Sequence, residues 1–372
     1  MKKYLKLLFA VAFLTVIVAC ANDDDNNGGA DNDGEDVTEV RVALITHSPD
    51  SVLDDGSFNQ GAWDGIERFL EANGLNTNDH ADSFIPNEAS DASRIDTYEQ
   101  AINAGFDILV LPGFHHQHAV YEAQDMFPDT MFVLVDAVPT PAEGGEQRVA
   151  DNVAAILHTE HEAGFLAGYA AVREGYRDLG FMGGLPIPNI VRFGYGFIQG
   201  AEHAAQYLEL APGDVTINYT YLGGFAPDPG HTTAAAAWYA SGVEVIFTAA
   251  GGAGGSVMSA AETADASVIG VDVDQHAQSS SIVTSALKRL DNTVYSTLMS
   301  YIDGDFNGGT ITTFDATMDG VGLALDNSRM TYFTQEMLDV ILEGLATGEV
   351  EMDETFDLDV LPETEIVVVT EL

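Results

Sequence analysis

Short apolar runs alternate with longer amphipathic segments along most of this chain. The short runs are rich in β-branched residues and have the length of strands, whereas apolar positions in the longer segments recur at helical spacing. This alternation predicts an α/β fold in which parallel sheets are covered by helices on both faces. The predicted strands are 40–46, 108–111, 131–135, 153–157, 179–182, 216–221, 245–248 and 267–271, and the predicted helices are 62–70, 94–104, 118–126, 162–172, 196–208, 232–241 and 257–263.

The length of the chain predicts two lobes of this kind. A chain of 372 residues is longer than one compact core usually organises. The first lobe is expected over residues 38–157, and the second begins with the helix that holds Glu162. The pattern by itself gives two lobes but not the path of the chain between them.

The N-terminal residues have the pattern of a lipoprotein leader. Lys2 and Lys3 precede an apolar run over residues 7–19 that is too short to span a membrane, and Cys20 follows it. Residues 1–19 are therefore predicted to be a signal peptide and Cys20 a lipid anchor, with cleavage by an ordinary peptidase as the alternative. Residues 20–37 are polar and acidic after the cysteine, which predicts a flexible tether.

The net charge of the chain limits the classes of ligand and partner that it can bind. Thirteen basic residues stand against 59 acidic ones, for a net charge of −46. Such a surface repels nucleic acid and disfavours polyanionic solutes. Two interpretations remain: adaptation to a salty or alkaline habitat, or attraction of cationic ligands. Because Cys20 is the only cysteine, no intramolecular disulfide can form.

A polar loop after the first predicted strand carries the most specific motif, DDGSFNQGAW at residues 54–63. It joins the strand to a helix whose N-cap is predicted to be Ser57 or Asn59. Open parallel sheets bind small molecules at the carboxyl ends of their strands, which is where this loop lies. The motif therefore predicts a solute-binding site.

The same motif and several later ones resemble the basic membrane protein family of bacterial lipoproteins. The resemblance covers about residues 40–325, and its members include purine-nucleoside receptors of ABC transporters. It implies a type I periplasmic-binding-protein fold, in which the chain crosses three times between two doubly wound parallel-sheet lobes that enclose a ligand cleft. The N-terminal lobe would then hold residues 38–157 and about 278–310, and the C-terminal lobe residues 158–277 and about 311–372. The later motifs are DNV at 151–153, EAGFLAGY at 162–169, GGLPIP at 183–188 with Phe193 and GFIQG at 196–200, VIF at 245–247 with AGGAG at 250–254, IGVDVDQ at 269–275 and TSALKR at 284–289.

Aromatic and polar residues of these motifs are the candidate contacts for a nucleoside base. Phe58, in a polar loop, is the first candidate to stack on the base, and Phe193 is the candidate from the other lobe, with Tyr195 and Phe197 as rivals. Asn59 could offer its amide to a purine edge or cap the helix. Asp55, in the same loop, is a further candidate ligand residue.

Charged residues at strand ends are the candidate contacts for the sugar. Asp136 and Asp272 each follow an apolar run directly, so their carboxylates are expected to project into the cleft. We assign Asp272 to the ribose diol, because a carboxylate can accept two hydrogen bonds. Lys288 stands where the family has a lysine and could donate to ribose hydroxyls. Gly251 and Gly252 would let the backbone approach the ligand closely.

Histidines raise two separate questions. His47 stands where the family commonly has an aspartate, and a neutral imidazole offers one donor and one acceptor, so it bears on base specificity. His115, His116 and His118 form a dense cluster after a predicted strand. Because adjacent histidines diverge on most backbones, we expect no metal there, and no cofactor.

The resemblance implies a lipid-anchored, extracytoplasmic, monomeric substrate-binding protein that takes up adenosine, guanosine or inosine with an ABC permease and ATPase. A receptor for another neutral solute and a signalling receptor remain alternatives. An enzyme is not expected, because no base-and-nucleophile arrangement accompanies the loop motif and the first strand lacks a dinucleotide-binding glycine fingerprint.

Overall fold

A computed structural model describes residues 40–354, residue 356 and residues 360–372. The predicted signal peptide, the predicted lipid anchor at Cys20 and the predicted tether at residues 20–37 lie outside the described residues. Among the described helices, none is both long and apolar enough to cross a membrane.

Strands form at all eight of the apolar runs that the sequence predicts as strands, and that prediction is confirmed. Their residues are mostly fully buried, as expected for strands covered on both faces. The described strands are β1 Val42–Ile45, β2 Ala81–Phe84, β3 Ile108–Pro112, β4 Met131–Val135, β5 Val153–His158, β6 Asp178–Gly183, β7 Val215–Tyr221, β8 Val245–Ala249, β9 Ser267–Asp272, β10 Ile282–Lys288, β11 Thr310–Phe314, β12 Val321–Leu323 and β13 Val367–Glu371.

Helices occupy the connections between strands. The predicted helices all form, and several extend beyond their predicted limits. The described α-helices are α1 Phe58–Ala72, α2 Thr77–His80, α3 Asp91–Asn103, α4 Gln117–Met126, α5 Glu160–Glu174, α6 Pro188–Tyr207, α7 Pro229–Ala240, α8 Gly254–Ala264, α9 Leu290–Ile302 and α10 Gln335–Thr347.

Two sheets organise the described residues into two α/β lobes. The first sheet has the strand order β11-β5-β4-β3-β1-β2 and the second has the order β12-β10-β9-β8-β6-β7-β13. Neighbouring strands run parallel, except that β12 is antiparallel to β10. Hydrophobic clusters cover both faces of each sheet. The predicted α/β class and two-lobed, doubly wound architecture are therefore confirmed.

The chain crosses between the lobes at three places, and one of them differs from the expected boundary. Residues from about 278 were expected to return to the first lobe, but β10 pairs with β9 in the second sheet. The return begins instead at α9, whose Leu290 and Val294 pack in the core of the first lobe. It ends with β11, which pairs with β5. Lys288 and His158 consequently lie at crossings.

Helices α5 and α6 pack unusually closely in the second lobe. Gly164 and Gly168 on α5 lie against the backbone of α6, and Gly196 and Gly200 on α6 lie against the backbone of α5. A Cβ added at any of these four positions would overlap a carbonyl oxygen of the facing helix. The four glycines thus permit backbone-to-backbone contact.

Candidate ligand-binding site

A cavity of about 610 Å³ lies between the two lobes, within the usual size range for small-molecule sites. Its walls come from loops at the carboxyl ends of strands in both sheets, as the sequence predicts. Every predicted ligand residue except Asp136 lines it. The lining includes His47, Asp55, Phe58, Asn59, Phe193, Gly251, Gly252, Asp272 and Lys288.

The loop before α1 is built around Asp55. The Asp55 carboxylate accepts hydrogen bonds from the backbone N–H groups of Ser57, Asn59 and Gln60 at 2.9–3.1 Å. Ser57 is the N-cap residue by position, but its side chain makes no capping bond. Burial raises the pKa of Asp55, and the three backbone donors oppose that rise. Asp55 therefore holds the loop that presents Phe58, a capping role that the sequence assigned to Ser57 or Asn59.

Asn59 is almost fully buried, and its amide group is engaged by the loop. Its Nδ2 donates to Ser51 Oγ at 3.0 Å and to the carbonyl of Val52 at 2.8 Å. The amide donors expected for a purine edge are thus used within the protein, which leaves the carbonyl oxygen for a ligand.

Two phenylalanines from opposite lobes flank one ammonium group. Lys288 Nζ lies 5.3 Å from the ring centroid of Phe58 and 5.5 Å from that of Phe193. Both distances are within the range of cation–π attraction. Phe193 is 1% exposed and also packs edge-to-face on Phe247. The two rings therefore offer apolar surface next to a fixed positive charge.

Asp272 lines the cavity at the end of β9. Its Oδ2 accepts a hydrogen bond from Ser57 Oγ of the first lobe at 2.7 Å. The backbone of Asp272 is left-handed, with φ of 65°, and Asp136 has a matching φ of 61° after β4. Such conformations cost free energy and cluster at functional sites. Burial raises the pKa of Asp272 to about 6, although Lys288 and the Ser57 hydroxyl oppose the rise.

Replacing Asp272 with asparagine is expected to stabilise the ligand-free protein above pH 6. Because the folded pKa is about 6 and the ordinary aspartate pKa is 3.8, the unfolded chain binds fewer protons between these values, and stability falls as pH rises through them. Asparagine can still accept from Ser57 without carrying that charge. We expect the variant to gain at most about 3 kcal/mol at pH 8 and nothing at pH 3.5. Urea unfolding at both pH values measures this, and equal midpoints at pH 8 would contradict it.

Asp136 does not line the cavity, which corrects the expectation that its carboxylate projects into the cleft. It lies behind Lys288, whose Nζ donates to Asp136 Oδ2 at 2.5 Å and to Glu160 Oε1 at 3.0 Å. The other Asp136 oxygen is 3.0 Å from His158 Nδ1. Burial alone would raise the pKa of Asp136, but Lys288 and His158 hold it well below its usual range. Its role is to position the ammonium group.

The charge of Lys288 is firmly held. Burial alone would lower its pKa, but the Asp136 and Glu160 carboxylates raise it above the ordinary lysine value. The sequence pattern did not single out Glu160 or His158, because their partners come from distant parts of the chain. Each follows a strand that the pattern did predict, which is the signal that could have marked them.

Asp136, His158 and Glu160 are the one group in the described part of the chain that has the geometry of a metal site. Their ligand atoms lie within 4.8 Å of one another. The Lys288 ammonium is bonded to both carboxylates, so it supplies the positive charge that a metal would bring. The arrangement is an internal ion network.

The histidine cluster diverges, as expected from adjacent positions. His116 Nδ1 is 2.6 Å from the hydroxyl of Tyr98, and His118 Nδ1 is 2.7 Å from the carbonyl of Thr140. His115 instead faces the cavity and stacks on His47, with ring centroids 4.3 Å apart and an interplanar angle of 11°. The sequence linked His47 to base specificity and considered His115 only as a metal ligand, but the structure places the two rings together.

Polar bonds across the cleft join its rims. The carbonyl of Gly56 accepts from the side-chain amides of Gln275, at 3.2 Å, and Gln278. Gly56 has a φ of 61°, and a Cβ there would collide with the Gln278 amide. On the facing rim, Gly252 lies against the carbonyl of Phe225, so the glycine loop packs close to another cavity-lining segment. The bonds to Gly56 therefore join the two lobes, whereas the contact between Gly252 and Phe225 lies within the second lobe.

Two parallel-sheet lobes with a polar and aromatic cavity between them define a solute-binding protein of the periplasmic type. A family model described as "ABC transporter substrate-binding protein PnrA-like" matches residues 40–345, and the chain belongs to that family. The nucleoside-binding protein BmpA of an ABC transporter in Lactococcus lactis is 30% identical over 92% of this chain and 96% of its own length.

Solved structures agree with the family. An ABC transporter solute-binding protein from Aeropyrum pernix superposes with a TM-score of 0.64 at 25% identity, covering 86% of this chain and 83% of that one. One from Conexibacter woesei gives a TM-score of 0.67 at 23% identity, covering 86% of this chain and all of that one. These superpositions establish the fold.

The family defines the coarse function. Its members are substrate-binding proteins and not enzymes, and they pass a solute to the membrane permease and ATPase of an ABC transporter. This chain is therefore an ABC transporter substrate-binding protein that works in association with a membrane, on its extracytoplasmic side.

Proposed function

We propose that this protein is a lipid-anchored receptor that binds purine nucleosides in the cleft and delivers them for uptake. The observation that carries the proposal is the juxtaposition of Phe58, Phe193 and Lys288. Two aromatic rings from opposite lobes lie next to an ammonium group, and Asp272 lines the same cavity.

Each part of a nucleoside finds a matching surface in this arrangement. The base is flat and stacks on aromatic rings, which contributes about 1–3 kcal/mol per base in nucleic-acid systems. The ribose diol needs strong acceptors and donors, and Asp272 and Lys288 supply one of each. Lys288 is already neutralised by Asp136 and Glu160, so the cavity favours a neutral ligand over a nucleotide. The negative net charge of the chain acts in the same direction.

The proposed anchor rests on sequence alone. The apolar run before Cys20 and the polar residues 20–37 fit a lipidated cysteine followed by a tether. Replacing Cys20 with serine should release the protein from the membrane fraction of expressing cells into the soluble fraction. Retention of the serine variant in the membrane would contradict the anchor.

Isothermal titration calorimetry on residues 38–372 tests the ligand. We expect micromolar or tighter binding of adenosine, guanosine or inosine, with ribose alone giving no heat. No heat from any nucleoside, on a sample shown to be folded by circular dichroism, would overturn the proposal and leave another neutral solute as the candidate. Prolonged incubation with inosine followed by chromatography separates a receptor from a hydrolase, since only an enzyme releases hypoxanthine.

Truncating either flanking ring should weaken nucleoside binding. We expect Phe58→Ala and Phe193→Ala each to reduce the affinity for inosine by about 5- to 100-fold, because each removes a stacking face. Phe306→Ala, in a phenylalanine of the first lobe outside the cavity, is the matched control and should bind as the wild type does. If both cavity variants kept wild-type affinity, the base would not lie between these rings.

A further inference from the structure

The His47–His115 pair is a part of the cavity that the proposed stacking and ribose contacts do not use. Both rings line the cavity. Within the described part of the chain, neither ring exchanges a hydrogen bond with another protein group. Both rings are half-buried, so their nitrogens are available to a ligand in the cavity.

The surrounding residues fix the two rings in place. His115 stacks on His47 and also lies 4.0 Å, centroid to centroid, from the ring of Phe114. The carbonyl of His47 accepts a hydrogen bond from Arg94 Nε at 2.9 Å, and Arg94 is in turn paired with Asp91. The pair is therefore an ordered surface, which suits it to reading the position of hydrogen-bonding groups.

Both imidazoles are neutral at physiological pH. Burial lowers the pKa of His115 to about 4, with smaller contributions from His47 and Arg94. Burial and the Arg94 charge also lower the pKa of His47. A neutral imidazole carries one N–H donor and one acceptor nitrogen, and its tautomers exchange their positions.

The strand order separates this pair from the sugar contacts. His47 follows β1 and His115 follows β3, and these strands are neighbours in the first sheet. Asp136, which positions Lys288, follows β4 on the far side of β3. With adjacent strands about 4.8 Å apart, His115 lies roughly 5 Å and His47 roughly 10 Å along the sheet edge from Asp136. A nucleoside whose ribose is held by Lys288 and Asp272 can extend its base toward the histidines.

We propose that His47 and His115 together form the subsite that reads the hydrogen-bonding edge of the base, and that it accepts 6-amino and 6-oxo purines alike. The proposal rests on the purine-nucleoside function proposed above. Adenosine presents an acceptor beside a donor, and inosine presents a donor beside an acceptor. A change of tautomer lets the same imidazoles complement either order, which fixed donors or acceptors could not do.

Isothermal titration calorimetry tests the subsite with three ligands. These are adenosine, inosine and purine riboside, and the last lacks the group at C6. For the wild type we expect adenosine and inosine affinities within about threefold of each other, and purine riboside about tenfold weaker, the effect of one hydrogen bond. In the double variant His47→Phe/His115→Phe the rings still stack but cannot hydrogen-bond. All three affinities should then agree within about twofold.

A conservative variant and a control variant complete the test. His47→Gln retains one donor and one acceptor, so it should preserve a preference for inosine over purine riboside. His203→Phe replaces a half-buried histidine that contacts Phe165 and lies outside the cavity lining, and should bind as the wild type does.

The outcomes separate the two proposals. If the double phenylalanine variant still prefers inosine over purine riboside about tenfold, other residues recognise the hydrogen-bonding edge of the base, and the proposed histidine subsite is wrong. A wild type that prefers adenosine or inosine over the other by 100-fold or more would also overturn it. Absence of binding by all three nucleosides in the folded wild type would instead overturn the purine-nucleoside function.

Discussion

Replacing Lys288 with methionine is expected to lower the free energy of unfolding by about 3–5 kcal/mol at pH 8. The side chain of Lys288 is 1% exposed, and its ammonium balances the carboxylates of Asp136 and Glu160, which are 3% and 2% exposed. Methionine fills similar space but removes the ammonium that balances these buried carboxylates, which leaves His158 beside Asp136 and the part-exposed Arg192 at 3.5 Å from Glu160. The cost should shrink below about pH 5, because a buried carboxylate that has lost its ammonium partner takes up a proton more readily as the pH falls.

Urea denaturation at pH 8 and pH 4.5 measures this loss. Arg148→Met is the matched control, because it breaks an ion pair of similar length with Asp125 in which both side chains are largely exposed. We expect that control to cost no more than about 1 kcal/mol, with little dependence on pH. A Lys288→Met protein as stable as the control at pH 8 would show that the buried network does not stabilise the fold.

Replacing Gly164 with alanine should destabilise the second lobe by about 3 kcal/mol or more. The added methyl group would overlap the carbonyl oxygen of Phe193, and backbone cannot move aside as a flexible side chain can. Helices α5 and α6 would have to separate, which loosens contacts along both. Because α6 also carries Phe193 into the cavity, ligand affinity should fall together with stability.

Gly255→Ala is the control for this substitution. Gly255 lies in the first turn of α8, and no atom would lie within 4 Å of its added Cβ. There the change should stabilise by about 0.5–1 kcal/mol, because alanine loses less conformational freedom than glycine. Differential scanning calorimetry of both variants checks the contrast. If Gly164→Ala melted at or above the wild-type temperature, the close approach of the two helices would not be a constraint.

Local patterns were sufficient to predict most strands and the general place of the site. Strands such as β3 and β8 are apolar at nearly every position, so their own residues predict that both faces are buried. β2 escaped prediction because its residues Ala81–Phe84 are half polar and lie at a sheet edge. The loop residues at strand ends were identified because the carboxyl ends of parallel strands gather at one edge.

Pairing between distant residues could not be predicted in the same way. The amino-acid composition of β10 would suit a strand in either sheet. Because β10 pairs with β9, the chain returns to the first lobe only after Lys288. Asp136 was expected to face the ligand, since its sequence position gives no sign of the lysine 152 residues later that covers it. The stacking of His47 on His115 likewise depends on β1 and β3 being neighbours.

The late return of the chain to the first lobe has a consequence for how the protein folds. Helix α1 packs on α9, where Gly65 faces Val294, and β5 gains its outer neighbour only from β11. These contacts close very long loops, which raises the entropic cost of reaching the folding transition state and slows folding. During synthesis the first lobe cannot complete its core until residue 314 has emerged, by which time strands β6 to β10 of the second sheet have also been made. The second lobe in turn waits for β12, β13 and the buried Leu338 and Ile341 of α10, so each lobe is expected to remain incomplete while the other is being made.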